Sequence, residues 1–216
     1  MKQSRTHLKS TTSAIIERLE REYPDAHCAL LHENPFQLLI ATILSAQCTD
    51  ERVNIVTRTL FVKYPSPHEF ASIPIEELEK DIYSTGFYKA KAKNIQSCCR
   101  QLIDRFQGEI PQTMDELHSL PGVGRKTANV VLGNAFGIAV GVTVDTHVTR
   151  ICSLLGLTTG KNPEAIEQEL MEIVPQEKWT NFTHLIISHG RKVCIARRPK
   201  CGECILADMC PSSLVK

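Results

Sequence analysis

The sequence carries almost no excess charge. Its 25 lysine and arginine residues balance 24 aspartate and glutamate residues, and the formal net charge is +1 at pH 7. The overall charge therefore does not indicate a nucleic-acid partner, and any basic surface must be local. Residues 191–200 form such a patch, because they hold several cations and no acid. Its members are Arg191, Lys192, Arg197, Arg198 and Lys200.

Long apolar runs, internal repeats and low-complexity segments are also missing from the 216 residues. No run approaches the length that spans a membrane, and residues 1–13 lack the apolar stretch of an export signal. The nine cysteines are an odd number, which suits a reducing compartment better than a disulfide framework. We expect a cytoplasmic protein with no membrane association, built as one large or two small domains.

Most segments show helical periodicity between proline and capping signals. Residues 36–44 are apolar nearly all round, which predicts a helix at the centre of the core. Residues 138–144 have the composition of a strand, but no second strand is available, so an extended connection is expected. The predicted fold class is therefore all-α. We predict helices over residues 13–23, 36–44, 75–83, 90–106, 113–120, 125–136 and 163–174, with others beginning near 49 and 145 and one containing 182–188.

A glycine turn followed by a helix is the most distinctive local pattern. Residues 120–129 read LPGVGRKTAN, and Gly122 and Gly124 permit backbone conformations that other residues resist. The first N–H groups of the following helix, residues 125–136, suit a phosphate. Lys126 lies in the first turn, where desolvation would lower its pKa and make the amine a nucleophile. A plain turn and a solvated surface lysine are the simpler alternatives.

Two segments together resemble a known superfamily. LPGVGRKTA resembles the helix-hairpin-helix motif of the DNA glycosylases, and VDTHVTR at residues 144–150 resembles their aspartate segment. Nearly the whole chain is similar to the endonuclease III family. The resemblance implies a helix-hairpin-helix glycosylase fold with two packed helical lobes and an active-site cleft between them. It implies a six-helix lobe at 28–139 and a composite lobe from 1–27 and 140–216.

The same resemblance implies two catalytic residues, Lys126 and Asp145. In that family the lysine attacks C1′ of the damaged nucleotide, the base leaves, and the iminium allows β-elimination of the 3′ phosphate. An aspartate before a helix is most simply an N-cap, but a helix N-terminus also keeps the carboxylate ionised, so both roles are compatible. Arg125 is expected at the DNA with the glycine turn. His147 either contacts DNA or is a buried, satisfied histidine.

A second constellation lies near the C-terminus, with the spacing C-x6-C-x2-C-x5-C over residues 194–210. Four thiolates this close bind either zinc or an iron–sulfur cluster. The pattern is similar to the 4Fe–4S loop of endonuclease III and of its adenine-mismatch relative, which implies a structural cluster. The loop inside it would aim its cations at DNA phosphates. The implied ligands are Cys194, Cys201, Cys204 and Cys210, and the implied DNA contacts are Arg197, Arg198 and Lys200.

Two further positions match residues that fill the gap left by an extruded nucleotide. In the resembled family these are a glutamine after the central helix and an apolar loop residue, and here they are Gln47 and Phe87. Cys48 stands where an alanine is common, and Phe87 where a leucine is familiar. A phenylalanine can still wedge by stacking, although a core aromatic is the alternative. The lesion spectrum and the opposite-base preference stay open.

Three functions are weighed. The favoured one is a bifunctional DNA glycosylase and abasic-site lyase of base-excision repair, acting as a monomer on oxidised pyrimidines and abasic sites in double-stranded DNA. Such a protein would be bacterial in type and associate with the nucleoid. A monofunctional adenine-mismatch glycosylase would lack the lysine and carry a long extra C-terminal domain. A non-catalytic DNA-binding module would not need both Lys126 and Asp145.

Overall fold

The computed structural model describes residues 5–215, and within that range the chain is helical with no β-strand. The predicted all-α class is confirmed. The helices are α1 (Arg5–Glu22), α2 (Pro35–Leu44), α3 (Asp50–Lys63), α4 (Pro67–Ser72), α5 (Ile75–Asp81), α6 (Tyr88–Phe106), α7 (Met114–His118), α8 (Arg125–Ala135), α9 (Thr146–Leu154), α10 (Pro163–Ile173) and α11 (Trp179–Lys192). Short 3₁₀ turns cover Tyr83–Thr85, Gln176–Lys178 and Cys201–Glu203. None of the helices in residues 5–215 has both the length and the apolar character needed to cross a membrane.

Two helices differ from the sequence expectation. Helix α1 begins at Arg5 rather than near residue 13, because its polar first turns continue the helix without an apolar periodicity to reveal them. Helix α4 was not predicted at all, since two prolines were read as a break. Ser66 caps it through a capping box with Glu69, and Phe70 fixes it in the core. Residues 1–4 and 216, which the expected composite lobe included, lie outside the described residues.

The chain divides into two compact units, Cys28–Val140 and Met1–His27 with Gly141–Lys216. We call the first the hairpin unit, since it contains α7 and α8. Its centre is α2, whose residues are all buried after Pro35, and which packs against α3, α6 and α8. The predicted central helix is therefore found. Around it, α4 and α5 pack on α6, and α7 packs on α8.

The second unit, which we call the cluster unit, packs α1 against α10 and α11, and α9 against α11. A bidentate ion pair ties α1 to the C-terminal loop, with the Arg18 guanidinium 2.6 and 3.0 Å from the Asp208 carboxylate oxygens. Helices α9 and α11 approach closely at Gly190, where a Cβ would lie 2.6 Å from Nδ1 of His147. A larger residue at that position would force these helices apart.

Candidate nucleic-acid interface and cluster loop

The turn between α7 and α8 uses its two glycines differently. Gly122 has φ +78°, and a Cβ there would lie 2.9 Å from Cβ of Asn94 on α6, so both its conformation and its space require glycine. Gly124 has φ −86°, and a Cβ there would meet nothing within 4 Å. The expectation that both glycines adopt conformations closed to other residues holds only for Gly122. Nothing within the protein demands glycine at position 124.

Helix α8 begins without a capping side chain. Its N-cap is Gly124, and the Gly124 carbonyl accepts a 3.0 Å hydrogen bond from the Ala128 N–H. Glycine has no side chain that could accept a hydrogen bond from the N–H groups of the first turn. Arg125 and Lys126 lie in this first turn and are exposed. Burial of the lysine within the protein, on which the sequence argument relied, is therefore not found. What the first turn presents to solvent is an amine beside the positive end of a helix dipole.

Asp145 is the N-cap of α9. Its Oδ1 accepts a 2.8 Å hydrogen bond from the Val148 N–H, as the capping interpretation predicts. The side chain is only half-buried. A carboxylate has acceptor sites on both oxygens, so this cap leaves Oδ2 able to accept from another group. The negative charge also acts inside the protein, because it adds to burial in raising the pKa of the Cys152 thiol.

His147 follows two residues later on α9 and is half-buried. Its Nδ1 is buried without a hydrogen-bond partner among residues 5–215. The same nitrogen faces the bare backbone of Gly190. The alternative of a buried histidine with both nitrogens satisfied is therefore not what the structure has.

Gln47 and Phe87 share an unusual backbone conformation in the hairpin unit. Gln47 has φ 53° and Phe87 has φ 46°, and the only other non-glycine residue between 5 and 215 with a positive φ is Gln107. Gln47 is exposed, and the Phe87 side chain is 65% exposed. The core-aromatic alternative for Phe87 is therefore wrong. Such conformations cost about 1–3 kcal/mol each and cluster at functional sites.

Cys194, Cys201, Cys204 and Cys210 all line one cavity of about 280 Å³, together with residues of α9 and α11. None of the nine cysteines, all of which are described, forms a disulfide. No group of His, Cys, Asp or Glu within residues 5–215 is arranged to hold a single metal ion. Four free cysteines that line one cavity without converging on a point suit a multi-atom cluster better than a tetrahedral zinc site.

Polar groups from other elements face these sulfurs. The Arg150 guanidinium lies 3.4 Å from Sγ of Cys194, and Nε2 of His189 lies 3.6 Å from Sγ of Cys204. The other ring nitrogen, Nδ1 of His189, lies 3.0 Å from the Tyr23 hydroxyl. Burial lowers the pKa of His189 to about 4, aided by the Arg150 charge, and burial raises the pKa of Tyr23 to about 12.

The tautomer in which the Tyr23 O–H donates to Nδ1 of His189 has the ring's proton on Nε2, where it can be donated to the Cys204 sulfur. Sequence reasoning missed Tyr23 and His189. No local signal marks them, because the contact joins α1, α11 and the loop.

The cations of the loop project from its surface. Arg197, Arg198 and Lys200 are exposed, and of the three only Lys200 has an ion-pair partner among residues 5–215, with Nζ 3.7 Å from the Glu203 carboxylate. The loop backbone is tightly closed, since the Lys200 N–H donates to the Val193 carbonyl at 3.0 Å. The sequence-predicted residues thus fall into two sets. Those in the hairpin unit are Gln47, Phe87, Gly122, Gly124, Arg125 and Lys126, and those in the cluster unit are Asp145, His147, Arg197, Arg198, Lys200 and the four cysteines.

Comparison with known proteins identifies the class first. Residues 40–176 match the HhH-GPD superfamily of base excision DNA repair proteins. Residues 194–210 match the iron-sulfur binding domain of endonuclease III. The four cysteines lie within this second match, so the chain carries a 4Fe–4S cluster.

Individual relatives are more specific. The chain is 56% identical to endonuclease III of Synechocystis sp. over 205 residues, covering 95% of this chain and 94% of that protein. Two solved structures are each 48% identical with a TM-score of 0.91, covering 95% of this chain and 96% of theirs. One is a non-covalent endonuclease III–DNA complex and the other a trapped endonuclease III–DNA covalent intermediate. The chain therefore belongs to the endonuclease III family of base-excision DNA repair proteins.

Proposed function

We propose that this chain is a bifunctional DNA glycosylase and abasic-site lyase, with Lys126 as its nucleophile. The observation that carries the proposal is the exposed Lys126 amine in the uncapped first turn of α8. The amine attacks C1′ of a damaged nucleotide as the bond from C1′ to the base breaks, and the base leaves with a proton that the amine gives up. The C1′–O4′ bond of the sugar ring then breaks, with a proton going to O4′, and leaves an iminium between C1′ and Nζ. The iminium acidifies the C2′ proton, whose removal expels the 3′ phosphate by β-elimination. DNA closing over Lys126 supplies the desolvation that the protein alone does not.

Asp145 is proposed as the second catalytic residue. Its cap to Val148 holds the carboxylate in place through one oxygen, and the charge stabilises positive charge developing on the sugar as the base departs.

The glycine turn is proposed as a phosphate contact. Gly122 gives the turn its shape, whereas Gly124 leaves open space beside the first N–H groups of α8. A phosphate oxygen can approach the backbone there because no Cβ stands in the way. Arg125 adds a cation at the same turn, and His147 is a further contact proposed in the cluster unit.

Gln47 and Phe87 are proposed to fill the gap left by the extruded nucleotide. Both are exposed, and both occupy backbone conformations that the protein maintains at a cost. A glutamine can hydrogen-bond to the edge of the base left without a partner. A phenylalanine ring can stack between the neighbouring bases.

Cys194, Cys201, Cys204 and Cys210 are proposed as the ligands of the cluster. When bound, the cluster joins four points of the loop and supplies a structural constraint without a redox step. The loop between the first two ligands then presents Arg197, Arg198 and Lys200 to DNA phosphates.

Two broader features belong to the same proposal. With DNA as the proposed substrate, the chain is expected to act in the bacterial cytoplasm, at the nucleoid. It is expected to act as a monomer, because the proposed catalytic and DNA-contact residues all belong to one chain. Its substrates are double-stranded DNA with oxidised pyrimidines and DNA with abasic sites. Sedimentation of the protein with and without one equivalent of lesion-containing duplex tests the monomer, and a 2:1 complex would contradict it.

The test of the function is a borohydride trapping assay on duplex DNA with one abasic site. The native chain should nick the strand and form a reduced covalent crosslink. Lys126→Gln keeps the helix and should bind the same duplex, but it should form no crosslink and no nick. Lys161→Gln, which removes an exposed lysine before α10, is the matched control and should still crosslink. A crosslink formed by pure Lys126→Gln would place the reactive amine elsewhere.

A further inference from the structure

One lysine in the hairpin unit is buried. Lys91, in the first turns of α6, is 4% exposed, and no other lysine or arginine among residues 5–215 is buried. Its Nζ donates a 2.8 Å hydrogen bond to the Leu44 carbonyl and a 2.8 Å hydrogen bond to the Thr85 carbonyl. The ammonium therefore joins two segments that are far apart in the sequence.

The two carbonyls lie at the ends of two elements. Leu44 is the last residue of α2, and Thr85 is the last residue of the 3₁₀ turn. Such terminal carbonyls have no intrahelical partner and carry the negative end of the dipole, so a cation is a favourable partner for both. Burial lowers the pKa of Lys91, while the neighbouring Cys48 raises it. Holding a cation here costs free energy that the hydrogen bonds offset.

A non-glycine residue with a positive φ follows each of these two residues within three positions in the sequence. Gln47 lies three residues after Leu44, and Phe87 lies two residues after Thr85. Both have positive φ and both are exposed. Because Lys91 holds the backbone just before each of them, it ties together the positions of two side chains that project from different loops.

We propose that Lys91 is a positioning residue that sets the spacing between the Gln47 and Phe87 loops, so that both side chains enter the DNA gap together. This inference rests on the gap-filling part of the proposed function. Lys91 itself touches neither DNA nor the reacting atoms. It acts by bridging the ends of α2 and the Tyr83–Thr85 turn.

The structural part of the inference is tested without DNA, by amide hydrogen exchange. Lys91→Met keeps the length of the side chain and removes its donors and charge. Exchange should become faster in residues 45–49 and 86–90 together, while α8 and the cluster unit stay unchanged. Lys93→Met, two residues later and exposed, makes the same substitution and should leave both segments as they are. Unchanged exchange in either segment of Lys91→Met overturns the inference.

The functional part uses duplexes with 2-aminopurine opposite a tetrahydrofuran abasic analogue. Gap filling by the native chain should change the 2-aminopurine fluorescence on binding, and Lys91→Met should lose most of this change. Single-turnover excision of an oxidised pyrimidine from duplex should fall by about 10- to 100-fold, the scale of a small misplacement of positioned groups. Borohydride trapping on single-stranded abasic DNA, which has no gap to fill, should stay near the native level. Lys91→Arg, which keeps the charge and enough donors for both carbonyls, should recover part of the fluorescence change.

A folded Lys91→Met variant with native-like fluorescence change and excision rate would overturn the inference. Equal losses of excision on duplex DNA and of trapping on single-stranded DNA would also overturn it. A native chain without activity would instead overturn the proposed function. The hydrogen-exchange experiment would still test whether Lys91 holds the two loops, because it uses no DNA. If Lys91→Met fails to fold by circular dichroism, Lys91→Gln replaces it. The glutamine side chain is shorter than lysine, so it keeps hydrogen-bond donors but cannot bridge both carbonyls. The outcomes given for Lys91→Met then apply to Lys91→Gln.

Discussion

At the scale of single residues, the helix cap that Asp145 forms can be separated by substitution from the catalytic role proposed for it. Its Oδ1 caps α9 through the Val148 N–H, and its half-buried position leaves the charge near the surface. Capping depends on an acceptor atom, whereas stabilisation of a developing cation depends on charge. A substitution that keeps the acceptor and removes the charge separates the two roles.

Asp145→Asn should therefore fold like the native chain and lose activity. Asparagine caps about as well as aspartate, so the free energy of unfolding should change by less than about 0.5 kcal/mol. Base excision should slow by about 100-fold, because the charge that stabilises the departing-base transition state is gone. Cleavage of a preformed abasic site develops less positive charge and should slow less. Single-turnover rates on both substrates, with urea unfolding, give the measurement.

Asp145→Ala is the matched comparison, since it removes the cap as well. It should cost about 1 kcal/mol of stability and be no more active than the asparagine variant. Native-level excision by Asp145→Asn would show that Asp145 acts only as a cap.

At the scale of elements, the α7–turn–α8 hairpin separates a glycine that the fold needs from one that it does not. Gly122 has a positive φ and no room for a Cβ beside Asn94, whereas Gly124 has an ordinary conformation and open space around its Cα. The free space lies at the uncapped N-terminus of α8, where the dipole and the first N–H groups favour an anion. Replacing each glycine with serine therefore tests stability at position 122 and DNA binding at position 124.

Gly122→Ser should destabilise the protein by about 1–3 kcal/mol, because its positive φ and its contact with Asn94 both oppose a side chain. Gly124→Ser should be neutral or slightly stabilising, since serine is a better N-cap than glycine. It should nevertheless weaken binding to damaged and undamaged duplex alike, because the new side chain occupies the proposed phosphate site. Thermal unfolding and fluorescence anisotropy measure the two effects. Undiminished DNA affinity in Gly124→Ser would argue against a phosphate contact at this turn.

At the scale of the whole molecule, the cluster loop is held by contacts with distant parts of the cluster unit. Arg18 of α1 pairs with Asp208 and also donates to the Ile205 carbonyl at 2.8 Å. Tyr23 reaches the Cys204 sulfur through His189. Helix α1 and residues 204–208 are thus parts of one folded unit, which also contains the cavity lined by the four cysteines.

Purified protein should be yellow-brown and contain iron and acid-labile sulfide, because four thiolates around one cavity hold a 4Fe–4S cluster. Cys201→Ser should lose most of the iron, unfold at lower temperature and bind DNA more weakly. Cys28→Ser, which changes a half-buried cysteine in the hairpin unit, should keep its iron and colour. A colourless native protein containing zinc would contradict the cluster, and a Cys201→Ser variant with full iron content would exclude Cys201 as a ligand.

Features that depend on short stretches of chain could be predicted from the sequence. A helix cap such as Asp145 acts within four residues, so its pattern predicted where α9 begins. The turn before α8 and the spacing of the four cysteines are equally local. These patterns were enough to indicate an all-α protein of the endonuclease III family, and the structure and comparisons confirm both.

Properties that depend on distant neighbours could be seen only in the folded chain. Burial of Lys91 arises because the ends of α2 and of the Tyr83–Thr85 turn meet beside α6. The exposure of Phe87 and Lys126, and the need for glycine at position 190, likewise depend on which elements lie nearby. Burial and close contact are sums over residues far apart in the chain, so no local pattern encodes them. Local hydrogen bonds and backbone preferences are encoded in a few consecutive residues, and for that reason the sequence revealed them.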